Sequence, residues 1–394
     1  MSFTPIAPFN TNGSINPELI DLAERVCYES TSLSSNHNPT ILNELKEMLR
    51  IVNSYYSNRI ESEGTHPVNI EKAMRKEFSS DTKEKRLQLL SLAHIETQRE
   101  MEHHLGTGFS VSPFDPRFIK DIHTNLYSQP GMESFLHIQH GNLDVNMIPG
   151  EFRELNVEVG KHLAPDPSQV ISLMGEFFHL YEKSYNTTLS HKLIYALSSH
   201  HRLTWIHPFL DGNGRVSRLA LDGALYSSTL QGYGLWNISR GLARNVDQYK
   251  EMLAYADMAR QGALDGRGNL SSHALEEYVK FMLSTALDQI LYMKKYLRLD
   301  ELSVRLERYV TLSNNKLLDI DPLPKHSEKV FKHLLLCGES SRGEISIVAG
   351  ISKRGSSDLI RELLNRGYLA SESEKGSIRL RFSAHLCSVV FPEL

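Results

Sequence analysis

The most constraining feature of the sequence is the helical spacing of its apolar residues. One stripe recurs every three or four positions, at Val170, Leu173, Met174, Phe177, Phe178 and Tyr181. A stripe of this period predicts an amphipathic helix that packs against a core. Similar patterns predict a helix over about 190–205, which ends at His207-Pro208, and long helix over about 272–312. We therefore expect a mainly α fold.

The length of 394 residues predicts more than one domain, because a single hydrophobic core rarely grows beyond about 250–300 residues. Breakers and changes of pattern indicate an N-terminal helical region at 1–112, a helical core followed by long helices at 113–313, a linker at 314–326 and a last module at 327–394. In the module, three short helices precede an alternating ribbon, which predicts a winged helix-turn-helix. Weak alternation over 135–145 and 152–159 predicts a short β-hairpin and loops within the core.

Composition narrows the class of protein. Apolar residues make up 40% and charged residues 23% of the chain, which excludes a fibrous or largely disordered protein. Three cysteines, far apart in sequence, exclude a disulfide framework and a paired CxxC metal site. Because the start lacks a signal-peptide pattern and no apolar run reaches about 18 residues, we expect a cytoplasmic protein without a membrane partner. The net charge of −4 argues against bulk attachment to nucleic acid.

The densest polar and glycine-rich segment is HPFLDGNGRVSR at 207–218, directly after the second predicted helix. Its residues Gly212, Asn213 and Gly214 precede another helix, and backbone N–H groups at a helix N-terminus converge on an anion. Arg215 and Arg218 lie three positions apart, on one face of that helix, and can bind phosphate oxygens. The segment therefore predicts a phosphate site.

Two further residues of this segment add chemistry to the phosphate site. Asp211 stands at the lip of the loop, where its carboxylate can hold a hydrated Mg2+ that bridges phosphates. His207 titrates near neutrality and can remove a proton from an incoming hydroxyl. Taken singly, each element has an ordinary explanation, namely a capped turn, a tight glycine turn or a solvated arginine pair. Their occurrence within twelve residues favours a functional site.

The same residues resemble a known family. The run His207-Pro208-Phe209-x-Asp211-Gly212-Asn213-Gly214-Arg215-x-x-Arg218 matches the signature HxFx(D/E)GNGRxxR of the Fic domain family without a departure. The resemblance implies an α-helical core with a short β-hairpin flap, ATP and Mg2+ as donor and cofactor, and transfer of AMP to a Ser, Thr or Tyr hydroxyl of a protein. It implies His207 as the base, Asp211 as the metal ligand, an anion hole at 212–214, and Arg215 and Arg218 on the phosphates.

Two flanking segments extend the resemblance. PGEFR at 149–153 and NVEVG at 156–160 are similar to the flap of Fic proteins, which pairs by its main chain with the target segment. We therefore expect a protein substrate to dock on residues 152–160, and we count Val157 and Glu158 of this segment among the cofactor-binding residues. Downstream, Tyr249 resembles a residue of the adenine pocket, where its ring would pack on the base. Ordinary helix packing is the alternative for Tyr249.

A third similar segment lies far upstream. Residues 57–61, SNRIE, resemble the inhibitory motif (S/T)xxxE(G/N) of Fic proteins, except that Ser62 follows the glutamate. The resemblance implies that Ser57 and Glu61 belong to an inhibitory helix. A carboxylate at Glu61 would pair with Arg218 and occupy the space that the γ-phosphate of ATP needs. An exposed surface glutamate is the alternative, and Glu63 is the candidate if the helix register differs.

Other functions are left open by the sequence. The mildly basic module at 327–394, with Lys353, Arg354, Arg361, Arg379 and Arg381, is compatible with a DNA or a protein partner. A nucleotide-sensing DNA-binding regulator is therefore the alternative from another class. Within enzymes, the same loop also allows removal of AMP or a different nucleotide donor. The apolar helices allow a homodimer.

Overall fold

The computed structural model describes residues 4–9, 15–35, 37–107, 111–140, 143–160, 162–183 and 187–394. Helices dominate these residues, so the predicted mainly α fold is confirmed. The first eight are α1 (Pro17–Ser32), α2 (Pro39–Ile60), α3 (Pro67–Met74), α4 (Thr82–Gly106), α5 (Pro116–Tyr127), α6 (Pro167–Glu182), α7 (Leu189–Ile206) and α8 (Asn213–Ser227). The others are α9 (Ile238–Arg244), α10 (Val246–Ala256), α11 (Ser272–Tyr296), α12 (Leu299–Asn314), α13 (Ser327–Cys337), α14 (Arg342–Ala349), α15 (Lys353–Asn365) and α16 (Ala384–Val390).

Several helices begin with the same local device, a polar cap followed by proline. Asn38 accepts a hydrogen bond from the N–H of Thr40 at 2.9 Å at the start of α2. Asp166 does the same at the start of α6, where it accepts from the N–H of Ser168 at 2.9 Å. Proline then occupies the first turn, where its missing N–H costs nothing. The predicted stripe of α6 is buried at Val170, Leu173, Met174, Phe177 and Tyr181.

Helix α8 lies at the centre of the helical core. It packs against α2, α4, α5 and α7, and it is buried along most of its length, including at both of its arginines. Helix α11 packs against α1, α7, α9 and α10 on the other side of the core. Helices that are distant in sequence, from α2 to α7, therefore meet at α8.

Short antiparallel hairpins interrupt the helices between α5 and α6. Strand β1 (His137–His140) pairs with β2 (Leu143–Asn146), and β3 (Glu158–Val159) pairs with β4 (His162–Leu163). The stretch 135–145 thus contributes β1 and most of β2, whereas 152–159 contributes only β3, which pairs with the segment after it. Residues 141, 142 and 161 lie outside the described part.

The C-terminal region contains helices α13, α14 and α15 and a small sheet of β5 (Glu339–Ser340), β6 (Leu369–Ala370) and β7 (Ile378–Leu380) in the order β5-β7-β6. Residues 315–326 connect it to α12. It also contacts the N-terminal helices directly, because Arg379 forms an ion pair with Glu44 of α2 and Asn38 donates to the carbonyl of Cys337 at 2.9 Å. The region therefore packs against the first part of the chain as well as following the linker.

Among the described helices, none is both long enough and apolar enough to cross a membrane.

Candidate active site

His207 stands at the end of α7, where proline at 208 stops the helix. It adopts a left-handed backbone conformation with φ 51° and ψ 62°, and its N–H still donates to the carbonyl of Leu203 at 3.1 Å. The ring Nδ1 lies 3.3 Å from the carbonyl oxygen of Thr204, which can only accept. Nδ1 therefore carries the proton, which leaves Nε2 to accept one. Burial lowers the pKa of His207 to about 4, so the ring is a neutral base at physiological pH.

The loop after His207 is held in shape by Asn213. Its side-chain oxygen accepts from the N–H of Phe209 at 2.9 Å, and its amide nitrogen donates to the carbonyl of Phe209 at 2.8 Å. Both polar groups of the buried amide are satisfied in this way, which fixes the loop against the start of α8. The Phe209 ring is fully buried. The loop is thus rigid before any ligand binds.

His123 of α5 supports the same loop from below, and sequence reasoning did not find it. Its ring stacks on Phe209 with centroids 4.0 Å apart. Nδ1 accepts from the N–H of Gly150 at 2.8 Å, and Nε2 lies 3.3 Å from the carbonyl of Asp211. Burial lowers its pKa to about 4, and one donor and one acceptor suit a neutral ring. His123 therefore ties the 149–150 turn to the loop at 207–212, which carries the candidate base and which we call the catalytic loop.

Two glycines are required where the loop becomes α8. Gly212 has φ 77°, and a Cβ there would lie 2.3 Å from the hydroxyl of Tyr127. A Cβ on Gly214 would lie 2.3 Å from Oε1 of Glu61. The glycine at 214 therefore makes room for a carboxylate at the N-terminus of the helix, where backbone N–H groups favour negative charge.

Arg218 is buried, with 2% of its surface exposed, and it faces the C-terminal end of α2. Its Nε donates to the hydroxyl of Ser57 at 3.0 Å, and Nη2 donates to the Ser57 carbonyl at 2.9 Å and to Oε1 of Glu61 at 2.7 Å. Burial acts to raise the pKa of Glu61, but Arg218 and Arg215 outweigh it, so this pKa is lowered. The structure thus brings Ser57, Glu61 and Arg218 together.

Arg215 contacts the same end of α2 through different partners. Nε donates to Oδ1 of Asn58 at 3.1 Å, Nη1 donates to the Tyr127 hydroxyl at 3.1 Å, and Nη2 pairs with Glu63. Glu63 also lies 3.4 Å from Nη1 of Arg86. The two glutamates considered from the sequence therefore bind different arginines, and Glu61 is the one on Arg218.

The chain leaves α2 through a left-handed residue at Ser62, whose φ is 61°. The N–H of Glu63 donates to the carbonyl of Asn58 at 2.9 Å, and the N–H of Ser62 donates to that of Arg59 at 2.9 Å. This pair of bonds is the Schellman ending of a helix, in which glycine or asparagine usually takes the left-handed place. Serine fills that place here, so the departure at 62 leaves the ending of the helix unchanged.

Asp211 is an exposed carboxylate at the entrance of the loop. Its Oδ1 accepts from the N–H of Gly212 at 2.6 Å. The described residues contain no group of three His, Cys, Asp or Glu side chains able to hold a metal ion. One carboxylate is nevertheless what the protein usually gives to a Mg2+ that is bound mainly by phosphates and water. The donor set fits a metal carried by a nucleotide.

The flap segment begins at Arg153, a second residue that sequence reasoning missed. This buried guanidinium donates to the carbonyls of Leu155 at 3.0 Å, Pro165 at 2.6 Å and His207 at 2.7 Å. It therefore ties both ends of the segment to the catalytic loop. Within the hairpin, Glu158 is exposed and Val157 is half-buried.

Tyr249 lies inside the helical core instead of on an open surface. Only 3% of it is exposed, and its hydroxyl lies 2.8 Å from Nε2 of His200, which is also buried. Burial raises the pKa of Tyr249 to about 12. Contact with an adenine base would require this ring to be uncovered, so its position corresponds to the alternative of helix packing.

Comparison with known proteins places this site in a family context. The Fic/DOC family matches residues 113–225. The protein adenylyltransferase Fic of Drosophila virilis is 43% identical over 76 residues, which cover 19% of this chain and 16% of that protein. The protein of the same name from Drosophila melanogaster is also 43% identical over 76 residues and is covered to 15%. The matched part therefore spans less than a fifth of these curated relatives.

Solved structures share the fold over a larger part of the chain. A Fic family protein from Desulfovibrio desulfuricans has a TM-score of 0.53 at 17% identity, covering 93% of this chain and 97% of that one. A Fic domain containing signaling protein from Bacteroides thetaiotaomicron has a TM-score of 0.53 at 16% identity, covering 69% and 95%. The chain therefore has the fold of these Fic proteins, and its residues 113–225 match the Fic/DOC family.

Proposed function

We propose that the protein transfers AMP from ATP to a Ser, Thr or Tyr hydroxyl of a target protein or of itself, and that Glu61 holds this activity back. The observation that carries the proposal is the neutral imidazole of His207 beside the glycine-rich loop that leads into the N-terminus of α8. The names of the matched relatives support adenylyl transfer as the reaction. The flap between Arg153 and Pro165 supports a protein as the acceptor.

In the proposed step the target hydroxyl attacks the α-phosphorus in line with the leaving pyrophosphate. His207 accepts the hydroxyl proton at Nε2, the new O–P bond forms, and the bond from the α-phosphorus to the bridging oxygen breaks. Backbone N–H groups at 212–214 and the two arginines hold the phosphates. When bound, Mg2+ neutralises phosphate charge, with Asp211 as its protein ligand.

Inhibition follows from the position of Glu61. Its carboxylate already takes the bond on Arg218 that a γ-phosphate oxygen would need, since both are anions that the same guanidinium binds. ATP that binds beside this carboxylate is held in an unproductive pose. The ion pair between Glu61 and Arg218 thus changes the position of bound ATP and leaves the position and protonation of His207 unchanged.

The experiment uses purified full-length protein with ATP, labelled either at the α-phosphate or at the γ-phosphate. The Glu61→Gly variant should incorporate the α-label into protein and leave the γ-label in solution, because AMP is transferred. Adding His207→Ala to that variant should abolish incorporation. Unchanged incorporation after His207→Ala would exclude the proposed base, and retention of the γ-label would exclude AMP as the transferred group.

The DNA-binding alternative has less support from the C-terminal region. Arg379 pairs with Glu44, Arg381 lies 3.7 Å from Glu71, and Arg361 lies 2.8 Å from Asp358. Three of the five basic residues considered for phosphate contact are thus engaged within the chain. Lys353 and Arg354 are exposed, and two cations give only weak and salt-sensitive affinity for DNA.

A further inference from the structure

A single side chain holds the tip of the flap hairpin against the helical core. His162 of β4 lies with Nδ1 2.9 Å from Oδ2 of Asp257, the residue that ends α10. Its Nε2 lies 2.9 Å from the carbonyl oxygen of Trp205, in the last turn of α7. The His162 side chain is only 16% exposed. One ring therefore joins the hairpin to two separate helices.

Both partners of this ring can only accept hydrogen bonds. A backbone carbonyl carries no proton, and the pKa of Asp257 is lowered to about 2, because its bonds to His162 and His201 outweigh the effect of burial. Each ring nitrogen of His162 must then carry a hydrogen, which makes the ring an imidazolium. Burial acts to lower the pKa of His162, but the bond and the charge of Asp257 raise it overall.

We propose that His162 is a positioning residue that, as an imidazolium, fixes the flap hairpin relative to the catalytic loop. The inference rests on the proposed function, since the flap is where the acceptor segment docks. Trp205 stands two positions before His207, so its bond to His162 fixes the position of the hairpin relative to the His207 imidazole. Arg153 fixes the base of the same segment through the carbonyl of His207 at 2.7 Å. The hairpin is therefore held by Arg153 at all pH values and by His162 only while the His162 ring is charged. We call the His162 contacts the anchor.

The charges around His162 determine how this anchor depends on pH. Asp257 favours the imidazolium, and it also accepts from Nε2 of buried His201 at 3.1 Å. Arg153 opposes the charge on His162, and His207 faces it from the catalytic loop. The pKa of His162 is raised on folding, so the anchor is complete below the ordinary histidine value and is lost as the pH rises through the raised value. The pKa of His207, about 4, lies far below this range, so the two titrations separate.

One test measures the flap without any activity. Hydrogen exchange of the amides at 157–160 and 162–164, corrected for the intrinsic effect of pH, should show protection that falls as the pH rises through the range of the His162 titration. His162→Gln should lower protection at the pH values where His162 is charged and should make protection independent of this titration, because glutamine has no titratable group and offers one donor nitrogen in place of two. His162→Lys keeps a charge for Asp257 and should retain more protection at alkaline pH. His179→Gln, at an exposed histidine of α6, is the matched control and should change nothing.

A second test measures transfer in the Glu61→Gly background, with α-labelled ATP and the inactive His207→Ala protein as the acceptor. His162→Gln should lower label incorporation about tenfold, the effect of a lost hydrogen bond to a charged group. Binding of a fluorescent ATP analogue should stay the same, because His162 contacts Asp257 and the carbonyl of Trp205 and not the phosphate loop or its arginines. Label incorporation by His162→Lys should fall less than that by His162→Gln at alkaline pH.

Two results would overturn the role of His162. One is protection and labelling of His162→Gln that match those of His179→Gln. The other is a loss of ATP binding in His162→Gln as large as its loss of labelling, which would indicate general damage to the site. Failure of the Glu61→Gly protein to transfer label refutes the proposed function instead, while hydrogen exchange still tests the anchor.

Discussion

The ion pair between Glu61 and Arg218 gives the sharpest test of inhibition, through the substitution Glu61→Gln. The amide has the size of the carboxylate and can still accept from Arg218, so the change removes charge without opening space. Arg218 keeps its two bonds to Ser57, at 3.0 Å and 2.9 Å, and stays in place. The substitution therefore alters mainly how strongly this position competes with a phosphate.

The magnitude follows from how far each partner is exposed. The Arg218 side chain is 2% exposed and that of Glu61 is 35% exposed. Fully exposed pairs contribute up to about 1 kcal/mol, and breaking buried pairs costs about 3–5 kcal/mol. Solvent screens a third of the Glu61 surface, so we assign about 1–2 kcal/mol to the charge. Such a difference shifts an equilibrium by about 5- to 30-fold, and label incorporation should rise by that factor.

The assay is incorporation of α-labelled AMP into purified protein with Mg2+ present. Glu176→Gln, at an exposed glutamate of α6, is the matched control, because it makes the same chemical change away from both phosphate-binding arginines. Only Glu61→Gln should raise incorporation, and both variants should keep the thermal stability of the parent within a few degrees. Equal stimulation by the two variants would refute the assignment of inhibition to Glu61, and so would no stimulation by Glu61→Gln.

Three further outcomes are expected. Ser62→Gly should raise the free energy of unfolding by about 0.5–1 kcal/mol, measured by denaturant titration, because glycine takes the φ of 61° without the cost that serine bears; a loss of stability would contradict the left-handed geometry. Gly212→Ala should lower it by about 2 kcal/mol or more, since the new Cβ would lie 2.3 Å from the Tyr127 hydroxyl at a φ of 77°. In the pH–rate profile of the Glu61→Gln protein, the acidic limb should fall near the His207 pKa of about 4, below which the ring is protonated and cannot accept a proton. A limb centred near the ordinary histidine value of about 6.5 would argue against a desolvated base.

The catalytic loop could be predicted from the sequence because its contacts are local. Asn213 bonds to Phe209 four positions away, and the glycine at 212 starts α8 within the same turn. Because both partners of these contacts lie within the segment 207–218, the sequence of that segment is enough to predict the loop. The stripe of α6 is local in the same sense, since side chains three and four positions apart share a face of a helix. The helical fold class and the residue types of the loop could be predicted from the sequence for this reason.

The supports of the loop could not be predicted, because their partners are distant in sequence. His123 lies 88 positions from Asp211, and Arg153 lies 54 positions from His207. A histidine or an arginine in a helix or loop is usually a surface residue, so nothing in its neighbours indicates burial at 123 or 153. The hairpin of β3 and β4 pairs only two residues from each strand, so the weak alternation over 152–159 could not identify the partner strand or its register. The contacts of His123 and Arg153 form only when elements distant in sequence pack together.

Glu61 shows how a sequence motif can be informative although one of its positions departs from the pattern. In the motif, the residue after the glutamate is glycine or asparagine, and both tolerate a left-handed backbone. Ser62 adopts the same conformation with φ 61°, so that position of the motif describes the ending of α2. The placement of Glu61 depends instead on the helix as a whole. Its N-terminal end is held by the bond from Asn38 to Cys337 and its C-terminal end by Ser57 on Arg218. A rigid helix fixed at both ends delivers its last carboxylate to one place, and this explains why Glu61 reaches Arg218 although serine follows it.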